Sequence, residues 1–200
     1  MIAIIDYDAG NIFSVKNALD FLGLKNKLTN DIKEIQNSDA IILPGVGAFP
    51  AAMKRLSDFG LVDVIKSEAI RKPFLGICLG MQLLFDNGYE FEETPGLGLI
   101  AGTVEKIIAP GMSVPHMGWN KLVKLNDCTL MNGLSDDEYV YFVHSYAAKC
   151  NNKDISAYCD YSGKITALVN KGTVYGAQFH PEKSSDVGIK ILKNFASLIK

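Results

Sequence analysis

The chain reads as an α/β protein with a mainly parallel central sheet and additional antiparallel strands. Two observations predict this: short apolar runs alternate with amphipathic helical stretches through the first half, and β-like runs crowd the second half. The same alternation of strands and helices argues for a parallel sheet covered on both faces.

Taken in order, "IAIIDY" predicts a first strand. "GNIFSVKNALDFLG" predicts a helix with an apolar stripe of Ile12, Val15, Leu19 and Leu22, capped by Asn11 and ended by Gly23. "KNKLT" and "DAIILPG" predict two more strands, "LVDVIKSEAIRK" a helix, "PFLGI" a strand, and a helix starts near Leu79. The runs "GTVEKI", "KLVKL", "EYVYFVHSY", "ISAYCDY", "ITALVN" and "VYGAQF" predict the further strands. "SSDVGIKILKNFASLIK" closes the chain as a helix with Ser184 or Ser185 as its cap. Two hundred residues without repeat, linker or low-complexity segment suit one domain over 1–200.

Composition narrows the function classes. The chain is 48% hydrophobic and 21% charged with a net charge of -2, which gives no electrostatic case for nucleic acid. No apolar run approaches membrane-spanning length and "MIAIID" is too short for a signal peptide, so neither membrane nor secretion is expected and the cytoplasm is the default. The four cysteines form no CxxC pair and the three histidines lie far apart. Neither disulfides, nor a metal site, nor a cofactor is expected.

Chemistry concentrates in "KPFLGICLGMQLLF". Cys78 sits between Gly76 and Gly80 at a strand-to-helix junction, the pattern of a nucleophile elbow, where bulky neighbours would block the turn. The helix start favours thiolate. A buried structural cysteine with glycines for close packing is the equal alternative. A base is available in "GAQFHPEKS": His180 ends a β run, and Glu182, two residues on in an extended segment, points to the same side and orients it. Alone, this pair reads as a strand-end histidine and a helix-start acid; beside an elbow cysteine it reads as a triad. "LPGVGAFP" fails the dinucleotide fingerprint because Pro50 stands where the third glycine belongs, and it is either a plain turn or backbone able to turn an N–H toward an oxyanion.

"GICLGMQLLF" with "FHPEKS" resembles the class I (triad) glutamine amidotransferases, whose fold is three-layered and flavodoxin-like. "DYDAGNIFSV", "PGVGAF", "GLGLIAGTVEKI", "PHMGWN" and "YFVHSY", in order from Asp6 to Ser184, narrow the resemblance to the glutaminase subunits of imidazole glycerol phosphate synthase. It implies that Cys78 attacks the side-chain amide of L-glutamine, with His180 as base and Glu182 holding it. It implies oxyanion donors at Leu79 and the Gly45–Val46 segment, and substrate contacts at Gln82, Gly47, Glu90 and the backbone of Ser145 and Tyr146. It also implies a heterodimer with a (β/α)8-barrel cyclase that receives the ammonia, with Asn11, Trp119, Tyr141 and Lys183 at or near the interface. Read from residues alone, Trp119 lies in a polar loop as an anchor or a core plug, and "YVYF" is ordinary sheet core. Two positions depart from the family: Asp8 replaces a usual glycine, and "GYE" at 88–90 replaces "SEE". A paralogue supplying ammonia for amidation of surface sugars would carry the same catalytic residues. From other classes, a cysteine α/β-hydrolase is disfavoured because Glu182 follows His180 closely, and a non-catalytic flavodoxin-like module because all three triad positions are filled.

Overall fold

The computed structural model describes residues 1–8 and 10–199. Its centre is an eight-stranded sheet built from β1 (Ile2–Ile5), β2 (Asn26–Thr29), β3 (Ala40–Leu43), β4 (Phe74–Ile77), β9 (Val123–Lys124), β12 (Ile155–Asp160), β13 (Lys164–Lys171) and β14 (Val174–Ala177), in the order β2-β1-β3-β4-β14-β13-β12-β9. The first five in that order are parallel and the last three antiparallel. A four-stranded sheet holds β5 (Asn87–Gly88), β6 (Thr94–Pro95), β7 (Gly102–Lys106) and β11 (Tyr146–Cys150). A separate antiparallel pair joins β8 (His116–Lys121) to β10 (Tyr139–His144).

The uninterrupted apolar strands serve two cores at once. Ile2, Ile4, Ile42, Leu75 and Ile77 face one cluster, which α1 (Ile12–Phe21) and α6 (Ser185–Ala196) cover with Val15, Leu19, Leu192 and Phe195. Ile5, Ile41, Leu43 and Phe74 face the other, covered by α3 (Phe49–Asp58), α4 (Val62–Ala69) and the four-stranded sheet. Alternate side chains of a strand leave opposite faces, so a three-layer sandwich consumes the whole apolar run.

Several local expectations need correction. Two helices lie outside the predicted elements: α2 (Ile32–Gln36), whose start Asp31 caps by accepting from the Lys33 and Glu34 amides, and α3, which begins within the glycine-rich "LPGVGAFP". β11 lies outside them as well. "PHMGWN" is strand β8 rather than a polar loop. Gly23 does end α1, in the left-handed region at φ 68. Asn11 and Ser184 stand at the N-cap positions of α1 and α6, but neither side chain caps: both are spent at the site described next. Among the described residues no helix is long and apolar enough to cross a membrane, and no group of His, Cys, Asp or Glu is arranged to hold a metal ion.

Candidate active site

The carboxyl ends of β3, β4 and β14 meet at one edge of the sheet, where ligands of parallel α/β sheets bind. Cys78 follows β4 directly. Its amide still pairs with β14, donating to the Ala177 carbonyl at 2.7 Å, while its carbonyl already accepts from the Met81 and Gln82 amides. It is strand on one side and α5 (Leu79–Gln82) on the other, with φ 54 and ψ −111. A non-glycine residue held there costs about 1–3 kcal/mol, and such strain gathers at functional sites. The flanking glycines are explained by close approach: a Cβ on Gly76 would sit 2.5 Å from the Gly80 carbonyl oxygen, and one on Gly80 would overlap the Leu43 carbonyl.

His180 lies three residues beyond β14, tied by its amide to the Tyr141 carbonyl at 2.9 Å. Its Nδ1 donates to Glu182 Oε1 at 2.8 Å, with both side chains buried. The contact is made within a 3-10 turn, Pro181–Lys183, and not along an extended segment: the turn folds the carboxylate back under the ring. His180 Nε2 is buried without a hydrogen-bond partner, as is Glu182 Oε2. Burial opposes the charge on His180, but its interactions with the Cys78 sulfur and the Glu182 carboxylate outweigh it and hold the imidazole up at about 9.

Cys78, His180, Leu79, Val46, Gly47, Gln82, Glu90, Ser145 and Tyr146 all border a cavity of about 290 Å³. Leu79 takes the first position of α5, so its N–H precedes the helical ladder. Gly45 packs so tightly that a Cβ would come within 2.5 Å of the Tyr7 hydroxyl and 3.1 Å of Leu79 Cβ. Gly47 adopts φ 106, open to glycine and strained for other residues. Gln82 donates to the Tyr146 carbonyl at 2.9 Å and to Gln178 Oε1 at 3.0 Å, which commits its amide hydrogens and leaves Oε1 for a ligand. Glu90 accepts from the Phe49 amide at 2.8 Å, at the positive end of α3.

The residues proposed for an interface divide into two kinds. Trp119 and Tyr141 are cross-strand partners on the outward face of the β8–β10 pair, ring centroids 6.1 Å apart, and Trp119 is 54% exposed. Trp119 is therefore no core plug, and "YVYF" is a two-faced strand: Val140 and Phe142 are buried while Tyr139 is exposed. Lys183 is exposed on the turn carrying Glu182. Asn11 instead points inward. Its Oδ1 accepts from Ser14 Oγ at 2.6 Å, which fixes the amide, and its Nδ2 donates to Glu182 Oε1 at 2.9 Å.

Two contributors escaped the sequence reading. Gln178, fully buried, bridges Gln82 and the Cys78 sulfur, which its Nε2 approaches at 3.9 Å; a lone amide inside the apolar run "VYGAQF" was the available signal. Ser184 donates to the His180 carbonyl at 2.7 Å and accepts from the Tyr141 amide at 3.0 Å, which its reading as a helix cap concealed. The departures from the family pattern also find physical settings. Asp8 adopts φ 60, where glycine is at ease and aspartate tolerated, and a Cβ on Gly88 would meet the Phe49 ring at 2.6 Å.

The family model for glutamine amidotransferase class-I matches residues 3–198. The imidazole glycerol phosphate synthase subunit HisH of Bacillus thuringiensis (strain Al Hakam) is 50% identical over 201 residues, covering 100% of this chain and 96% of the relative. The subunit of the same name from Listeria monocytogenes serovar 1/2a is 52% identical over 197 residues, covering 98% and 94%. A crystal structure described as a glutamine amidotransferase superposes with a TM-score of 0.79 at 22% identity, covering 100% of this chain and 99% of the other. PurLQS from Thermotoga maritima gives 0.75 at 20%, covering 100% and 98%. The two structures speak for the fold; the family match and the identities over full length go further. The chain belongs to the class-I glutamine amidotransferases.

Proposed function

We propose that residues 1–200 form one glutamine amidotransferase domain, the glutaminase subunit of imidazole glycerol phosphate synthase, acting in histidine biosynthesis in the cytoplasm. The observation that carries the chemistry is the buried Glu182–His180 pair facing a strained cysteine across one cavity. Identity of about half the residues with the two relatives, over their full length, supports the pathway.

In this reading the proton shared between Cys78 and His180 rests on the imidazole, and the sulfur attacks the side-chain carbonyl carbon of L-glutamine. The tetrahedral oxyanion is met by the Leu79 N–H and by the Gly45–Val46 peptide once its N–H faces inward, donors that contribute about 3 kcal/mol each to such transition states. The C–N bond breaks, His180 gives its proton to the departing ammonia, and a thioester remains. His180 then takes a proton from water, whose oxygen attacks the thioester to release L-glutamate and restore the thiol. Gln82 Oε1 and the Glu90 carboxylate suit the substrate's α-ammonium, and the Gly47, Ser145 and Tyr146 backbone encloses its chain.

The partner is a (β/α)8-barrel cyclase, to which the lyase chemistry would belong. Exposed Trp119 and its neighbour Tyr141 form the kind of aromatic anchor that dominates interfaces, and Lys183 is exposed on the turn carrying Glu182. Asn11 is tied to the triad by its hydrogen bond to Glu182. Glutaminase turnover measured with and without the cyclase and its nucleotide ligand tests the proposal. Slow turnover alone and a large stimulation in the complex are expected; full activity of the isolated chain would overturn the coupled-subunit reading.

A further inference from the structure

We propose that His116 and His144 are positioning residues of the glutaminase site: a tautomer-locked pair that fixes the Tyr146 carbonyl and, through it, the Gln82 amide at the cavity. Both histidines are buried, and the chemistry above uses neither. They face each other across the β8–β10 pair, where His116 and His144 are in register.

The hydrogen-bond chain admits one arrangement of protons. His144 Nδ1 lies 2.8 Å from the Tyr146 carbonyl, which can only accept, so Nδ1 carries the hydrogen. In the neutral ring Nε2 is then an acceptor. It lies 3.0 Å from His116 Nδ1, which must therefore donate, leaving His116 Nε2 as acceptor. Asn120 Nδ2 faces that nitrogen at 3.4 Å. The Asn120 amide is itself fixed, since its Oδ1 accepts from the Lys121 amide and its Nδ2 also donates to the Asp160 carbonyl at 3.1 Å. One additional proton on either ring would set two donors against each other. Burial acts the same way, holding both imidazoles down at about 4. Stacking locks the His116 ring, with Phe142 at 4.7 Å on one side and Tyr161 at 3.9 Å on the other.

The far end of the chain is the substrate wall. The Tyr146 carbonyl accepts from both His144 Nδ1 and Gln82 Nε2, so its lone pairs are spent within the protein and its plane is set. That leaves Gln82 with its Oε1 for the ligand. His116, which is not among the residues bordering the cavity, thus acts on it through His144.

Two measurements on the full-length chain test this. The chain has three histidines, so long-range proton–nitrogen spectra of the ¹⁵N-labelled protein near neutral pH resolve every imidazole. Two neutral rings protonated at Nδ1 are expected for His116 and His144, assigned by single substitutions; an Nε2–H tautomer or a cation at either would overturn the proposal. His116→Phe keeps the stacked ring and removes both nitrogens, leaving His144 Nε2 without a donor. It should raise KM for glutamine about tenfold while lowering kcat much less. His116→Asn, which returns an N–H near the Nδ1 position, should recover most of that loss. A fall in kcat at unchanged KM, or an asparagine variant no better than phenylalanine, would reduce His116 to packing. The spectrum decides the matter even where the phenylalanine variant folds poorly.

Discussion

The two ends of the parallel strands make an instructive contrast. Below β3, β4 and β14, at their amino ends, lies a cavity of about 430 Å³ bordered by Asp39, Arg71, Lys72 and Tyr175. It is larger than the cavity at the carboxyl ends and richer in charge, yet its polar groups are content. Glu68, 3% exposed, pairs with Lys72 at 2.8 Å and Arg71 at 3.3 Å, and Lys72 also donates to the Ile35 and Gln36 carbonyls. At the carboxyl ends, Cys78 is strained, and His180 Nε2 and Glu182 Oε2 are buried without partners. Unspent hydrogen-bonding capacity and stored strain, and not volume, mark the end proposed to be reactive.

The contrast breaks most severely if the carboxyl end is not reactive. Cys78→Ser should lower glutamine hydrolysis by about 10⁴-fold or more, measured as ammonia release; retained turnover would remove the elbow from the chemistry. Glu182→Gln keeps the shape but withdraws the charge that holds His180 protonated, and should cost about 10²-fold or more in kcat. At the other end, Lys72→Met leaves buried Glu68 with Arg71 alone. It should cost about 2–3 kcal/mol in denaturant unfolding, with kcat of the folded enzyme unchanged. A kcat loss there would show that the two ends are coupled.

A subtler difference is carried by pH. His180 is raised from 6.5 to about 9 in the folded chain, so its interactions stabilise the fold fully below about 6.5 and that contribution fades as pH rises through about 9. The stability difference between the wild type and His180→Gln should follow that window, read from unfolding midpoints across pH. A difference that grows toward alkaline pH would contradict the charged pair.

Much of this contrast was legible in the chain. Elbow glycines, an apolar strand before Cys78 and a histidine after another strand place both groups on one sheet edge, because β4 and β14 are parallel neighbours with Ile77 opposite Ala177. Contacts between residues distant in sequence were not legible. Asn11 and Glu182 are 171 positions apart and Gln82 and Gln178 are 96 apart, and nothing local in a sequence records such pairs. The His180–Glu182 contact was anticipated for the wrong local reason, since a turn and an extended segment can both join residues two apart. Trp119 beside Gly118 has a local sequence that suits a loop; pairing with β10 overrides that weak propensity.

One thiol among the four is proposed as the nucleophile. Burial pushes the Cys128 thiol up and takes Cys150 to about 11 and Cys159 to about 12, which keeps those three protonated and inert. Treatment of the folded chain with a glutamine-analogue electrophile, followed by peptide mass mapping, tests this directly. One label per chain at Cys78, blocked by L-glutamine and absent from Cys78→Ser, is the predicted result. Labelling of Cys128, Cys150 or Cys159 in place of Cys78, or label that L-glutamine fails to block, would contradict it.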